Sequence, residues 1–318
     1  MVARYLVTRL ASSVALFFAI TLFVFVAFFA FPTNNGGRFG ANREPYRSGS
    51  LPHAYGHYVW KLVRHGDLGR SYADREAVTT RVFRAAPVTL SLVLGGLFVW
   101  VLIAIPLGAV SALRPRSLLD RGLAILVLIG LCAHPVWLGL MSGFLFGEHW
   151  HIFPNNGYCD LFSPSTNCGG PVQWTDHLLL PWLIFGLLNA AVYTIMFRAL
   201  VIEELGQDYV RTARAKGAGN VRVVRVHVLK NVMPSFVTML GMNAGIALGG
   251  VIFVESAFGL PGLGGMLRRS IIQHDLPLTA GIVVFLAVAI MLLNLVVDLT
   301  YAAFNPRVRL SRLSLQRA

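Results

Sequence analysis

Six stretches of the chain are apolar over lengths that approach or exceed the roughly 20 residues a helix needs to cross about 30 Å of hydrocarbon. They run from Leu10 to Phe31, Val88 to Leu113, Leu123 to Phe146, Leu178 to Phe197, Pro234 to Phe258 and Leu278 to Phe304. Backbone amides and carbonyls cannot stay unpaired in lipid, so each stretch is expected to be a helix. The pattern predicts an all-α integral membrane protein with six transmembrane helices. The first run is broken only by Ser12, Ser13 and Thr21. It is longer than the roughly 7–15 residues of a signal-peptide core, and Phe31-Pro32 is no small-residue cleavage site, so it reads as a retained anchor.

The polar segments between these stretches set the organisation. A short N-terminus (1–9) precedes the first helix (10–31), and a long segment (32–87) separates it from a five-helix core (88–304). The core contains a polar connection at 198–233, and a tail (305–318) follows. Segment 32–87 opens with Pro-Thr-Asn-Asn-Gly-Gly, a loop composition. Its Tyr55, Tyr58, Val59 and Leu62 recur at helical spacing, which predicts a short helix lying on the membrane surface or packed on the protein. With six spans the termini share a side. Sixteen Lys and Arg fall on that side and eleven on the other, nine of these in the long segment where charge orients weakly. Both termini are therefore expected in the cytoplasm of a multi-pass protein.

Composition agrees. The 318 residues are 56% hydrophobic and 13% charged, against about 45–50% and about 25% in soluble domains. The net charge of +13 raises the prospect of a nucleic-acid partner. The cations sit between the apolar runs and the aromatics within them, so no basic surface with stacking rings forms, and nucleic acid is not expected.

Three cysteines divide by position. Cys132 falls inside the third stretch, as a small packing residue. Cys159 and Cys168 share the outer connection, an oxidising side, where a disulfide is expected. Glu148, His149 and His151 lie there too, but no strict ligand spacing pre-organises them, and no metal is expected. No Ser/His/Asp or Cys/His arrangement recommends itself for covalent catalysis. A phosphate-binding loop needs lysine after glycine, yet Lys61, Lys216 and Lys230 follow Trp60, Ala215 and Leu229. The chain is not expected to be an ATPase or to bind a cofactor.

The polar insert Glu203-Glu204-Leu205-Gly206-Gln207-Asp208 leads into Tyr209, Val210, Arg211, Thr212, Ala213, Arg214, Ala215, Lys216 and Gly217. Helix-forming residues end at Gly217 and Gly219, a stop signal. Val210, Ala213 and Gly217 share a face at i, i+3 and i+7. A small apolar face beside basic residues predicts a short helix on which another protein docks, or else an interfacial helix whose arginines meet anionic lipid.

Asp208-Tyr-Val-Arg-Thr-Ala-Arg-Ala-Lys-Gly-Ala218, followed by His227-Val-Leu-Lys-Asn-Val-Met-Pro234, resembles the permease motif of ABC importers in its dipeptide/oligopeptide form. Arg211, Thr212 and Ala213 stand where the general motif has Glu-Ala-Ala, and Gly217 is its glycine. Three more matches follow the order of the chain. They are Gly66-Asp67-Leu68-Gly69-Arg70-Ser71, the run Val254-Glu255-Ser256-Ala257-Phe258-Gly259-Leu260-Pro261-Gly262-Leu263-Gly264, and Asp298-Leu-Thr-Tyr301 with Asn305-Pro306-Arg307. The resemblance covers about residue 55 to residue 310 and suits the subunit with the long first outer loop. It implies a type I importer bundle in a bacterial cytoplasmic membrane, with 209–217 as the coupling helix seated on an ATPase subunit. It implies as partners a second homologous permease, two ATPase subunits or domains that hold ATP and Mg, and an outer substrate-binding protein. Peptide is the implied cargo, with nickel chelates or other small solutes as the alternative that shares these motifs. An ion-coupled secondary transporter is the other class weighed, and it needs buried charges near the midplane. Glu255, at the outer end of the fifth stretch, reads with Phe258, Pro261, Gly262 and Gly264 as an outer gate. Local pairing, with Arg268 or Arg269, is the structural alternative. Asp298 is expected to pair with cations at the inner interface.

Overall fold

The computed structural model describes residues 2–27, 51–132, 134–154, 157–162, 168–242 and 244–304. The end of the first apolar stretch (28–31), the outer segment 32–50 and the tail 305–318 with Asn305-Pro306-Arg307 lie outside them, as does the side chain of Asp298. Among the described residues the chain is helical, with two isolated bridges, Arg70–Ala77 and Asp160–Gly169, and no strand.

Every predicted apolar stretch carries helix. The elements in order are α1 (Val2–Phe25), α2 (Leu51–His65), α3 (Val78–Leu113), α4 (Leu118–Cys132), α5 (Pro135–Ser142), α6 (Pro171–Leu205), α7 (Asp208–Ala215), α8 (Asn220–Val223), α9 (Leu229–Met242), α10 (Ala244–Ala257), α11 (Leu263–Ile272) and α12 (Leu276–Phe304). Single π-helical segments follow α5 (Gly143–His149) and α8 (Val224–Val228). Among the described residues three helices are long and apolar enough to span a bilayer by themselves: α3, α6 and the 276–296 part of α12. A fourth span forms if α4 and α5, bent by 98°, are taken together. The first and fifth stretches appear as shorter apolar helices, the fifth divided between α9 and α10.

The chain divides into two compact units. In the unit formed by residues 1–87 and 262–296, α2 turns Ala54 and Tyr58 inward against Phe25 of α1, with Tyr55, Val59 and Leu62 beside them. Of the two expectations for this helix, the structure takes the packed one. Tyr55 donates its hydroxyl hydrogen to the Phe18 carbonyl (3.0 Å), which anchors α2 on α1. A second core joins the start of α3 to α11 and α12 through Val78, Val82, Leu263, Leu278 and Ile282. A methyl at Gly281 would lie 2.5 Å from Val78 Cγ1, so the close approach of α12 to α3 requires glycine there.

The unit formed by 88–261 and 297–318 holds the larger core, with Leu92, Trp100, Phe185, Tyr193, Phe197 and Phe236 among its buried residues. Helices α3 and α6 approach through small residues. A methyl at Gly186 would stand 2.7 Å from Val99 Cγ1 and 3.0 Å from the Gly96 carbonyl. Such contacts let backbones pack closely where water gives no hydrophobic drive. Rings fill the remaining space edge to face: Trp100 on Tyr193 at 4.3 Å and Phe197 on Phe236 at 4.8 Å.

Candidate coupling surface

The connection after α6 is built by local capping. Gly206 closes α6, and Gln207 enters α7 with extended backbone. Asp208 lies in the first turn and Arg214 in the last, the placement the helix dipole favours. Helix α7 ends in a Schellman motif. Gly217 takes φ +85°, the Gly217 amide donates to Arg214 O (2.9 Å), and the Ala218 amide donates to Ala213 O (3.1 Å). The stop signal read at Gly217 is therefore a backbone requirement.

Behind the helix, Glu204 at the end of α6 accepts two hydrogen bonds on one oxygen. Tyr209 donates its hydroxyl hydrogen (2.8 Å) and Asn231 of α9 donates from Nδ2 (3.0 Å). Burial, and next the Glu204 carboxylate, push the Tyr209 hydroxyl pKa up, so this group remains a donor. Val210 is fully buried, and Leu205, Tyr209, Ala213 and Ala218 pack on the same core.

This corrects the expected docking face. The small apolar side of α7 lies on the chain's own core, because Val210 has a complete apolar environment there. Gly217 is exposed but lies past the helix end, in the cap. What α7 presents outward is Arg211, Thr212, Arg214, Ala215 and Lys216, with Asp208 at its start. Next to it a shallow groove is lined by Gly219, Asn220, Val221, Arg222, Arg225 and Val226. The face left for a partner is basic, with two exposed valines at its edge.

One end of α6 is tied to its neighbours by an ion pair that charge counting does not reveal. Arg198, counted as a loop cation, lies within α6 and grips Asp120 of α4 through Nε (2.7 Å) and Nη2 (2.9 Å). The same carboxylate accepts from the Ser111 hydroxyl and from the Arg116 amide (2.8 Å). The ends of α3, α4 and α6 are thereby fixed together, beside the segment that carries α7.

Glu255 is fully buried and accepts the Thr89 hydroxyl hydrogen at 2.6 Å. Phe258 is buried, and Gly259 at φ +63° ends α10 as Gly217 ends α7, with the Leu260 amide donating to Glu255 O (3.0 Å). Pro261 is exposed, whereas Gly262 caps α11 and Gly264 is buried in its first turn.

The Gly66–Ser71 motif is a folded turn. Gly66 and Gly69 hold φ of +59° and +91°, and Asp67 accepts from the Gly69 amide (2.8 Å). Ser71 donates its hydroxyl hydrogen to Asp275 (2.5 Å), which also accepts from the Tyr72 amide (3.1 Å) and from Leu278 at the start of α12 (3.3 Å). Asp275 is buried, and the sequence offered no periodicity or motif to mark it.

On the other connection, Cys159 and Cys168 bring their Cα atoms to 5.3 Å, inside the range a disulfide bridges. His177 of α6 lies 3.4 Å from the Cys159 sulfur. Among the described residues these three are the potential metal ligands that converge; Glu148, His149 and His151 do not. Cys132 is exposed at the end of α4, which corrects its expected packing role: α4 stops there, and the side chain faces a groove.

Comparison with known proteins adds the family. Residues 104–310 match the model of the binding-protein-dependent transport system inner membrane component. The chain is 35% identical over 272 residues to the dipeptide transport system permease protein DppB of Escherichia coli K12, covering 80% of each chain. It is 33% identical over 254 residues to a peptide transport system permease protein of Brucella abortus, covering 80% of this chain and 79% of that one. A peptide permease protein of Brucella suis aligns at 30% identity over 322 residues, covering 97% and 99%.

Proposed function

The chain belongs to the family of inner membrane components of binding-protein-dependent transport systems, and from that premise we propose that it is a permease subunit of an ATP-driven peptide importer. Relatives named for dipeptide and peptide transport favour peptides over nickel chelates as cargo. In this reading six helices cross the cytoplasmic membrane, with α9 and α10 together forming the fifth. Both termini are cytoplasmic, and a second, similar permease completes the pathway.

The observation that carries the coupling role is the mounting of α7. Its rear is fixed by Val210, Tyr209 and Glu204, while Arg211, Arg214 and Lys216 are exposed. A helix held rigidly from behind transmits displacement; a helix floating on lipid does not. An ATPase subunit seated on the basic face would move α7 on closing around ATP and Mg, and the bundle would open to the other side. Glu255 and Thr89 would hold the outer gate segment, and a Cys159–Cys168 disulfide would brace the outer connection.

Growth on a dipeptide or tripeptide as sole source of a required amino acid tests the function. Deletion of the chain should abolish growth on peptide but not on the free amino acid. Equal growth with and without the chain would reject the proposal.

A further inference from the structure

The connection between α5 and α6 holds its two cysteines together by bonds that do not involve sulfur. Asp160 and Gly169 form an isolated bridge, and the Gly170 amide donates to Asp160 O (3.0 Å). The Gly169 amide donates to Oε1 of Gln173 in the first turn of α6 (2.7 Å), and the Trp174 indole donates to the Tyr158 hydroxyl (3.2 Å). The chain neighbours of both cysteines are thus pinned to one another and to α6. Cys159 and Cys168 are held side by side whether or not a bond joins them.

His177, in the second turn of α6, faces this pair, with Nδ1 3.4 Å and Nε2 3.7 Å from the Cys159 sulfur. Nδ1 is also 2.9 Å from the Gln173 carbonyl. A carbonyl only accepts, so Nδ1 carries the ring proton and Nε2 a lone pair. A disulfide sulfur has no hydrogen to offer that lone pair. A ring proton fixed on a carbonyl, with the other nitrogen open, is how a metal-ligating histidine is oriented. Tetrahedral zinc bonds sulfur at about 2.3 Å and nitrogen at about 2.0–2.1 Å, which sets sulfur and nitrogen about 3.5 Å apart and two sulfurs about 3.8 Å apart. Here the three ligand atoms lie within 4.8 Å of one another. With the Cα atoms at 5.3 Å, rotation of the two side chains brings the sulfurs to that spacing.

We propose that the dithiol form of this connection is a zinc site. Cys159 and Cys168 bind as thiolates, each releasing its proton, His177 binds through Nε2, and water takes the fourth position. Zinc and disulfide are alternative states. An external disulfide takes two electrons from the two thiolates and, with two protons from water, leaves as two thiols, while the S–S bond forms and zinc departs. The zinc state ties the loop to α6 through His177, a link that the disulfide does not make.

The full chain in nanodiscs is reduced with a phosphine, freed of it without oxygen, and titrated with Co(II), whose thiolate charge-transfer absorption reports sulfur ligands. One equivalent of Co(II) should give that absorption, and zinc should remove it by displacement. Prior treatment with oxidised glutathione should abolish it. Cys132→Ser should leave the titration unchanged, which places the sulfur ligands in this connection. His177→Ala should raise the Co(II) concentration at half-saturation about tenfold or more, since even the hydrogen-bond partner of a ligand is worth that much. Absorption that survives in the Cys159→Ser, Cys168→Ser variant, or an unchanged titration in His177→Ala, would overturn the inference. So would the absence of absorption in the reduced wild-type chain, a result that depends on no variant.

Discussion

Tyr209 donates its hydroxyl hydrogen to Glu204 across 2.8 Å, and this bond joins the exposed helix α7 to the long helix α6. Since Asn231 shares the same acceptor oxygen, three helices meet at one carboxylate. Hydrogen bonds to a charged group contribute roughly 1.5–3 kcal/mol. Glu204→Ala should loosen α7 while leaving the spans inserted. Peptide uptake is expected to fall at least severalfold, with membrane abundance near normal and ATPase activity less responsive to peptide. Uptake unchanged at normal abundance would show that α7 is held by packing alone.

The two faces of α7 should respond differently. Val210→Asp places a carboxylate in a fully buried apolar site, at a cost of several kcal/mol. Abundance of the chain should drop. Arg211→Glu, Arg214→Glu and Lys216→Glu alter exposed positions and should leave abundance intact. They should reduce co-purification of the ATPase subunits, most in the triple variant. The test is quantitative immunoblotting of membranes beside affinity purification. Retention of the ATPases by the triple variant would place their contact elsewhere.

Much of this was legible in the sequence, and the limits have physical causes. Apolar runs located the helices, because lipid permits little else. Gly217 marked a helix end, since positive φ leaves a residue signature; Gly259 has the same role and was not read as one. The inward turn of Val210 was not legible: a small apolar face has the same periodicity whether it packs on its own chain or on a partner. Asp275, Thr89 and the Asp120–Arg198 pair were missed for another reason. Their partners lie between 78 and 204 residues away in sequence, and no local pattern encodes such a contact. The break between α4 and α5 was missed because a hydropathy window averages over it.

Asp275 should be a stability residue. It is buried and accepts from Ser71, from Tyr72 and from the start of α12. Asp275→Ala leaves those donors unpaired, costing about 1–3 kcal/mol for each buried group. A lower unfolding temperature in detergent is expected, with Ser71→Ala showing a smaller decrease. Identical melting of Asp275→Ala and wild type would refute the role of this cluster.

Glu255→Gln retains an acceptor oxygen for Thr89 and removes the ionisable carboxyl, whereas Thr89→Val removes the donor. If the pair holds the outer gate, both variants should assemble, and both should consume ATP with less dependence on binding protein. The stimulation ratio of reconstituted complex, with and without binding protein and peptide, measures this. Ratios equal to wild type in both variants would leave Glu255 as a packing residue.

The central claim is that this chain conducts peptide inward when ATP is hydrolysed by partners docked on the basic face of α7. Its most direct measurement is radiolabelled dipeptide accumulation in proteoliposomes containing this chain, its partner permease and the ATPases, with ATP inside and binding protein at the opposite face. The account predicts accumulation against a gradient that stops when ATP is replaced by a non-hydrolysable analogue, and that is lost in the Arg211→Glu, Arg214→Glu, Lys216→Glu variant. Accumulation that persists without hydrolysis, or that survives in that variant, would contradict it.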